Sequence, residues 1–296
     1  MIKVLPWKLT FSAFIAFASL LCFVSASRAD VILEAPSTSV IGQPFFITLE
    51  VSGEEISDVR VNWQGHEALL APRQTQEGTK YSALLGSDIK NAKAGAASLR
   101  ISFNAREREE ILHSIKLKAR KYPSEKLKVA PTMVIPPKEL SQRLDREAKL
   151  SRSAIQSNNT GFSPPAPLVR PVPGIFTSVY GKSRYFNGEL RSRHGGIDFR
   201  AKEGTPVRVA ADGTVALTGE KFYFAGNCVY VDHGAGLVSF YGHLSKINVK
   251  NGDKVKAGDI IGLSGKTVRI TGPHLHFSLS WRGEFLDPES LLPQPQ

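Results

Sequence analysis

Cysteine is almost missing from this chain: two residues, Cys22 and Cys228, in 296. That excludes a disulfide framework and a cysteine-based zinc finger. Cys22 lies inside an apolar N-terminal run and follows Leu21, a poor setting for a lipid-attachment site. Cys228, in Asn-Cys-Val-Tyr-Val, reads as a small buried strand residue. Blocks of like charge are absent too. The formal net charge is +11, but Lys and Arg are spread along the chain, leaving only a mild bias toward an anionic polymer or a membrane surface. No recognition helix, aromatic platform or Cys/His finger speaks for nucleic acid. Nor does a His-Glu-x-x-His sequence occur, so no glutamate stands ready as the base of that kind of metal site.

What is present begins with a leader. Lys3 and Lys8 flank the start of an apolar run over about 9–24, and small residues follow at Ser25-Ala-Ser-Arg-Ala29. This is the layout of a secretory signal peptide, with cleavage expected after Ala29. A retained anchor is the alternative, since the run approaches the length of a short span.

The mature chain reads in three sections. Residues 31–121 carry alternating stretches at 31–33, 45–51, 59–63, 81–85, 99–103 and 111–117, punctuated by Gly, Asn, Asp and Ser. That spacing predicts a β-sandwich. From Tyr122 to Pro173, proline-rich edges bracket a charged stretch, 138–156, in which Leu140, Leu144 and Ala148 recur at helical spacing. A single linker helix is expected there, followed by a loose tether at 157–161; packing of this helix on the last section is its other use. In the last section Gly204-x-x-Val207 then Ala210-x-x-Gly213 recurs loosely as Gly252-x-x-Val255 then Gly258-x-x-x-Gly262. Both copies alternate apolar residues between turn glycines, which predicts paired antiparallel strands of a duplicated-hairpin sheet.

Four of the seven histidines stand in three short motifs: His194-Gly-Gly-Ile-Asp198, Tyr241-Gly-His243 and His274-Leu-His276. Imidazoles plus a carboxylate are donors that zinc prefers, and catalytic zinc keeps one position open for water. On a strand His274 and His276 point to one face, with Cα atoms about 7 Å apart. Residues 194 and 198 would lie roughly 13 Å apart on a straight strand, and Gly195-Gly196 argues against a helix. A bend at the glycines, feeding a strand over 197–200, is expected to fold His194 back toward Asp198. His66, His113 and His233 are read as structural, His233 in a turn.

These motifs carry a resemblance. Residues from about 166 to 290 resemble the lysostaphin-type (LytM-domain) zinc metallopeptidases, which cleave peptide cross-links of bacterial peptidoglycan. The matching stretches are Arg193-His-Gly-Gly-Ile-Asp-Phe199, Gly204-Thr-Pro-Val-Arg-Val-Ala-Ala-Asp-Gly213, Tyr241-Gly-His-Leu244 and Thr271-Gly-Pro-His-Leu-His-Phe277. The resemblance implies that His194, Asp198 and His276 bind one Zn2+ per chain and that His243 and His274 face water and substrate as catalytic residues. Spacing alone leaves open which of His274 and His276 is the ligand. Degenerate LytM modules, which activate cell-wall amidases instead of cutting, lack one or more of the five positions; all five are here.

The expected fold class is mostly β: a signal peptide at 1–29, an N-terminal β-sandwich at 30–122, a linker with one helix at 123–165, and a C-terminal antiparallel β-sheet peptidase domain at 166–296. The sandwich resembles the immunoglobulin-like domain ahead of the peptidase in some Gram-negative relatives. The implied partner is peptidoglycan in the periplasm or cell envelope, with no nucleic acid, with an envelope protein as the kind of partner the N-terminal domain would take, and with no stable membrane span after signal cleavage. The architecture points to the D-alanyl–diaminopimelate cross-link.

Overall fold

The computed structural model describes residues 29–128, 137–157, 159, 161, 164, 167–267 and 272–294. The leader and its cleavage site, but for Ala29, and residues 158 and 160 of the expected tether lie outside these residues. Among the described residues no helix is long and apolar enough to cross a membrane. The chain divides into two compact units, the first running to Arg120 and the second opening at Lys121.

The first unit is a β-sandwich. Its strands are β1 (Ala29–Glu34), β2 (Thr38–Val40), β3 (Phe45–Gly53), β4 (Ser57–Trp63), β5 (His66–Leu69), β6 (Arg73–Thr75), β7 (Gly78–Leu85), β8 (Gly95–Asn104) and β9 (Arg108–Lys118). Four pair in the order β1-β3-β7-β6 and five in the order β2-β9-β8-β4-β5. All six sequence-predicted strands are present: most alternate apolar and polar residues and so have one face to bury, whereas β7 is buried on both faces over 81–85. In β9, Ile111, His113, Ile115 and Leu117 are buried while the residues between them are exposed. Trp63 is fully buried on β4; its indole N–H donates to the Gly86 carbonyl at 2.8 Å, and Phe45 meets its ring edge-on. The three short strands β2, β5 and β6 escaped the sequence reading, being too short to show a period.

The second unit opens with β10 (Ser124–Leu127) and helix α1 (Ser141–Ile155), the latter preceded by a single 3-10 turn at Lys138–Leu140. Its sheets are built from β11 (Phe176–Ser178), β12 (Ser183–Phe186), β13 (Glu189–Arg193), β14 (Ile197–Arg200), β15 (Pro206–Arg208), β16 (Gly213–Phe222), β17 (Gly226–Gly234), β18 (Leu237–Ile247), β19 (Lys254–Val255), β20 (Ile260–Ser264), β21 (His274–Trp281) and β22 (Glu284–Leu286). The main sheet runs β11-β14-β21-β18-β17-β16-β19, with β15, β20 and β22 joined to it. A smaller sheet has the order β10-β12-β13.

The two copies of the internal echo pair crosswise. β15 of the first copy pairs antiparallel with β20 of the second, and β16 of the first with β19 of the second. The turns that launch the copies match as well: Gly204 and Gly252 sit at φ +86° and +88°, where a Cβ is strained. Each is the third residue of a turn closed by a backbone hydrogen bond, Thr205 N–H to the Lys202 carbonyl and Asp253 N–H to the Lys250 carbonyl. The antiparallel pairing is as expected, but each strand's partner in the repeat comes from the other copy.

Helix α1 forms where Leu140, Leu144 and Ala148 predict it, and it packs on the main sheet. Ala154 joins a buried cluster with Leu217, Cys228, Tyr230 and Val238, against which Phe240 and Ile155 also pack. The Tyr230 hydroxyl donates to Ser151 Oγ at 2.9 Å. Of the two uses open to this segment, the packed one is observed. Cys228 is fully buried, as expected, and burial pushes its thiol up to about 12.

His233 corrects the sequence reading. It lies on β17 and is buried rather than in a turn. Its Nδ1–H donates to the Asp212 carbonyl at 2.8 Å, so Nε2 accepts from Ser239 Oγ at 2.7 Å. The Tyr241 hydroxyl then donates to Ser239 Oγ at 3.0 Å and accepts the Ala210 N–H at 2.7 Å. Burial holds His233 below its ordinary value of 6.5, so the unfolded chain takes up the proton first and stability falls as pH drops below about 6.5. His233→Gln is therefore expected to be less stable than wild type at pH 7.5, by about 1–3 kcal/mol. Its deficit in urea-unfolding midpoint should narrow at pH 5.5. A deficit that stays constant between the two pH values contradicts a neutral, buried His233.

Candidate metal centre and catalytic histidines

The bend expected at Gly195-Gly196 is present and leads into β14 at Ile197. Gly196 permits it through close packing: a Cβ there would lie 2.2 Å from the Phe277 carbonyl oxygen and 2.7 Å from Ser278 Cβ, both on β21. A Cβ at Gly195 meets only the Phe285 ring, at 3.4 Å. The sequence reading gave the two glycines equal weight; the geometry separates them. Gly196→Ala is expected to push β14 off β21 and lower stability by about 1–3 kcal/mol or more, whereas Gly195→Ala should stay within about 0.5 kcal/mol. Thermal unfolding of the two variants measures the gap, and equal melting points would remove the close-packing argument.

Strand register places the side chains. Asp198 on β14 stands directly opposite His276 on β21, and His276 stands opposite Gly242 on β18. Directly opposed residues share a face of the sheet, so Asp198 and His276 converge. Across the bend His194 Nε2 reaches Asp198 Oδ1 at 3.1 Å and His276 Nδ1 at 3.0 Å, while His276 Nδ1 lies 2.9 Å from Asp198 Oδ1. The donor atoms of these three residues all lie within 4.8 Å of one another.

The protonation pattern of this trio suits a cation. His194 Nδ1–H donates to the Val179 carbonyl at 2.9 Å, which leaves the Nε2 lone pair aimed at Asp198 and His276. A backbone partner on the far nitrogen of this kind fixes the tautomer of metal-binding histidines. Burial alone would raise the Asp198 carboxyl; the neighbouring His194 and His276 imidazoles outweigh it and hold the group well below the usual carboxylate range. Burial also lowers His276. A carboxylate and two imidazole nitrogens converging in this way offer nitrogen and oxygen ligands of the kind zinc takes.

His274 and His243 form a second pair beside the trio. Their rings are 4.8 Å apart, and His243 lies 6.3 Å from His276. His274 Nδ1–H donates to the Gly272 carbonyl at 2.8 Å, so Nε2, 4.0 Å from Asp198 Oδ1, keeps its lone pair. A regular strand would send residue 243 to the face opposite Gly242 and His276. Instead His243 adopts φ +64°, a left-handed conformation that a non-glycine residue holds only at a cost of about 1–3 kcal/mol. Its backbone N–H is caught by the Ala225 carbonyl at 2.9 Å. Burial, then repulsion from His276 and His274, lowers its ring to about 4. His243 Nδ1 is buried and has no hydrogen-bond partner among the described residues.

All five sequence-predicted site residues are thus brought together. The supporting residues were missed: Val179 and Ser178, whose Oγ lies 3.3 Å from His194 Nδ1, and Phe240, whose ring packs 5.6 Å from that of His276. No local pattern marks them, since register alone delivers them.

Comparison with known proteins agrees with this geometry. Residues 192–288 match the family described as Peptidase family M23. The chain is 52% identical over 90 residues to the peptidoglycan DD-endopeptidase ShyA of Vibrio cholerae, covering 30% of this chain and 21% of that protein. It is 46% identical over 99 residues to the glycyl-glycine endopeptidase ALE-1 of Staphylococcus capitis, covering 33% and 27%. These matches span about a fifth to a quarter of the relatives' length. A Pseudomonas aeruginosa crystal structure assigned to peptidase M23 aligns at TM-score 0.61 and 28% identity, covering 81% of this chain and 93% of that one.

Proposed function

Because the chain carries a LytM-type Peptidase family M23 domain at residues 192–288, we propose that it is a zinc metalloendopeptidase hydrolysing peptide cross-links of bacterial peptidoglycan in the periplasm or cell envelope. The observation that carries this reading is the convergence of His194 Nε2, Asp198 Oδ1 and His276 Nδ1 beside the His243–His274 pair. The D-alanyl–diaminopimelate link is the proposed target, supported by the two-unit architecture and by the 52% identity over 90 residues to a protein described as a DD-endopeptidase.

His194, Asp198 and His276 would hold one zinc ion, which supplies a Lewis acid and makes water acidic enough to attack near neutral pH. His274, with Nδ1–H held by Gly272, accepts the proton of the attacking water at Nε2. His243, with an unpartnered buried nitrogen, faces the substrate and orients the departing amine, to which His274 returns the proton taken from the water. Residues 30–122 are proposed as an immunoglobulin-like domain, supported by the strand order of its two sheets and a buried Trp63 on β4. Its proposed role is to hold the enzyme at the polymer or at an envelope partner.

Incubating the zinc-loaded protein with purified sacculi tests the reading. Cross-linked muropeptide dimers should convert to monomers, and a chelator should stop the conversion. Dimers that survive while the peptides are released from the glycan would instead identify an amidase-type activity. Conversion of pentaglycine-bridged wall alone would move the target to the glycyl-glycine bond.

A further inference from the structure

Helix α1 does more than cover apolar surface. Two of its half-buried residues are charged, Arg143 and Glu147, one turn apart and joined Nε to Oε1 at 2.6 Å. An i, i+4 ion pair on a helix is ordinarily solvated and worth about 0.3–0.5 kcal/mol. This one is not left to solvent: the Glu147 side chain is only 12% exposed. Its other oxygen, Oε2, accepts the backbone N–H of Tyr223 at 2.7 Å, and the Arg143 guanidinium donates to the Lys221 carbonyl. The pair therefore grips the backbone around the β16–β17 loop at two points.

That loop leads directly to the catalytic pair. Asn227 Oδ1 accepts the Lys221 N–H at 2.9 Å and closes the loop on itself, and Asn227 N–H donates to Thr267 Oγ1 at 3.2 Å. Two residues beyond the gripped Tyr223, the Ala225 carbonyl accepts the N–H of His243, the residue held at φ +64°. A strained backbone persists only where its surroundings over-determine it. Here the route of restraint is continuous: helix, ion pair, loop backbone, histidine backbone.

We infer that Arg143 and Glu147 are positioning residues for His243, transmitting the placement of α1 through Tyr223 and Ala225 to the backbone of the proton-transfer site. The inference rests on the proposed role of His243, and it makes α1 part of the catalytic unit. Glu147 touches neither the metal donors nor the pair of site imidazoles; it acts through the loop.

The test uses the full-length, zinc-loaded protein with Glu147→Ala, Glu147→Gln and Arg143→Ala. Glu147→Ala is expected to lower kcat about 10–100-fold per zinc-loaded chain with KM within about twofold, since misplacing a catalytic group costs on this scale. Glu147→Gln keeps an oxygen for the Tyr223 N–H and should recover most of the rate. Arg143→Ala should fall between. Amide hydrogen exchange at His243 provides a readout independent of turnover: protection should drop at least tenfold in Glu147→Ala and persist in Glu147→Gln. Unchanged exchange at His243 in both Glu147→Ala and Arg143→Ala overturns the inference, as does a kcat per folded chain equal to wild type when only melting temperature has fallen. If the wild-type protein cuts no peptidoglycan, the functional reading fails and the exchange experiment still judges the positioning contact.

Discussion

Alanine in place of His194, Asp198 or His276 is expected to strip the bound metal and reduce turnover by at least about 10³-fold, while the β-sheet stays intact. The donors come from a bend and two neighbouring strands whose backbones are paired independently of the side chains, so the scaffold survives each truncation. What is lost is one of three donor atoms within 4.8 Å of one another, together with the several kcal/mol of charge stabilisation a zinc ion contributes to hydrolysis. Asp198→Ala should be the most damaging, since it removes a carboxylate that faces two imidazoles. Metal stoichiometry by mass spectrometry and circular dichroism of the same samples measure both halves of the expectation. A stoichiometry that remains near one per chain in all three variants rules this ligand set out.

Alanine at His243 or His274 should behave differently, keeping the metal and losing kcat by roughly 10²–10⁴, the range for a positioned proton-transfer group. The distinction comes from geometry that the spacing of His274-Leu-His276 could not supply. His276 Nδ1 lies 2.9 Å from Asp198 Oδ1, whereas His274 Nε2 stands off at 4.0 Å and pairs with the ring of His243. Single-turnover rates on metal-loaded variants separate the two roles. Release of metal by His274→Ala, with retention by His276→Ala, would reverse the assignment.

Local pattern in the chain spoke most clearly where one residue's environment is set by its near neighbours. The bend before Asp198 follows from two adjacent glycines, and most of the longer strands of the first unit follow from period-two burial, β7 being buried on both faces. The crosswise pairing of β15 with β20 and β16 with β19 left no local trace, because either copy could equally well have paired within itself. His233 shows the same limit: Val-Asp-His-Gly looks like a turn until Ser239 and Tyr241 arrive from the next strand to satisfy the ring. Arg143 and Glu147 lie in the charged stretch read only as a linker helix, and the packing of α1 against β16 and β18 gives them a backbone to hold. Gly196 and Gly195 are chemically identical in sequence, and the nearness of β21 alone distinguishes them.

The position of β21 in the main sheet has a consequence for how the molecule comes into being. β21 lies between β14 and β18, yet it is the last long strand of the sheet to leave the ribosome. Until it inserts, no strand among the described residues stands between the β11–β14 pair that carries Asp198 and β18, which carries His243. Closing so long a loop is slow, as pairings distant in sequence are. A chain in which β21 has not yet paired thus carries His194, Asp198 and His243 without His276 opposite them, and the proposed site is assembled only when that central strand is in place.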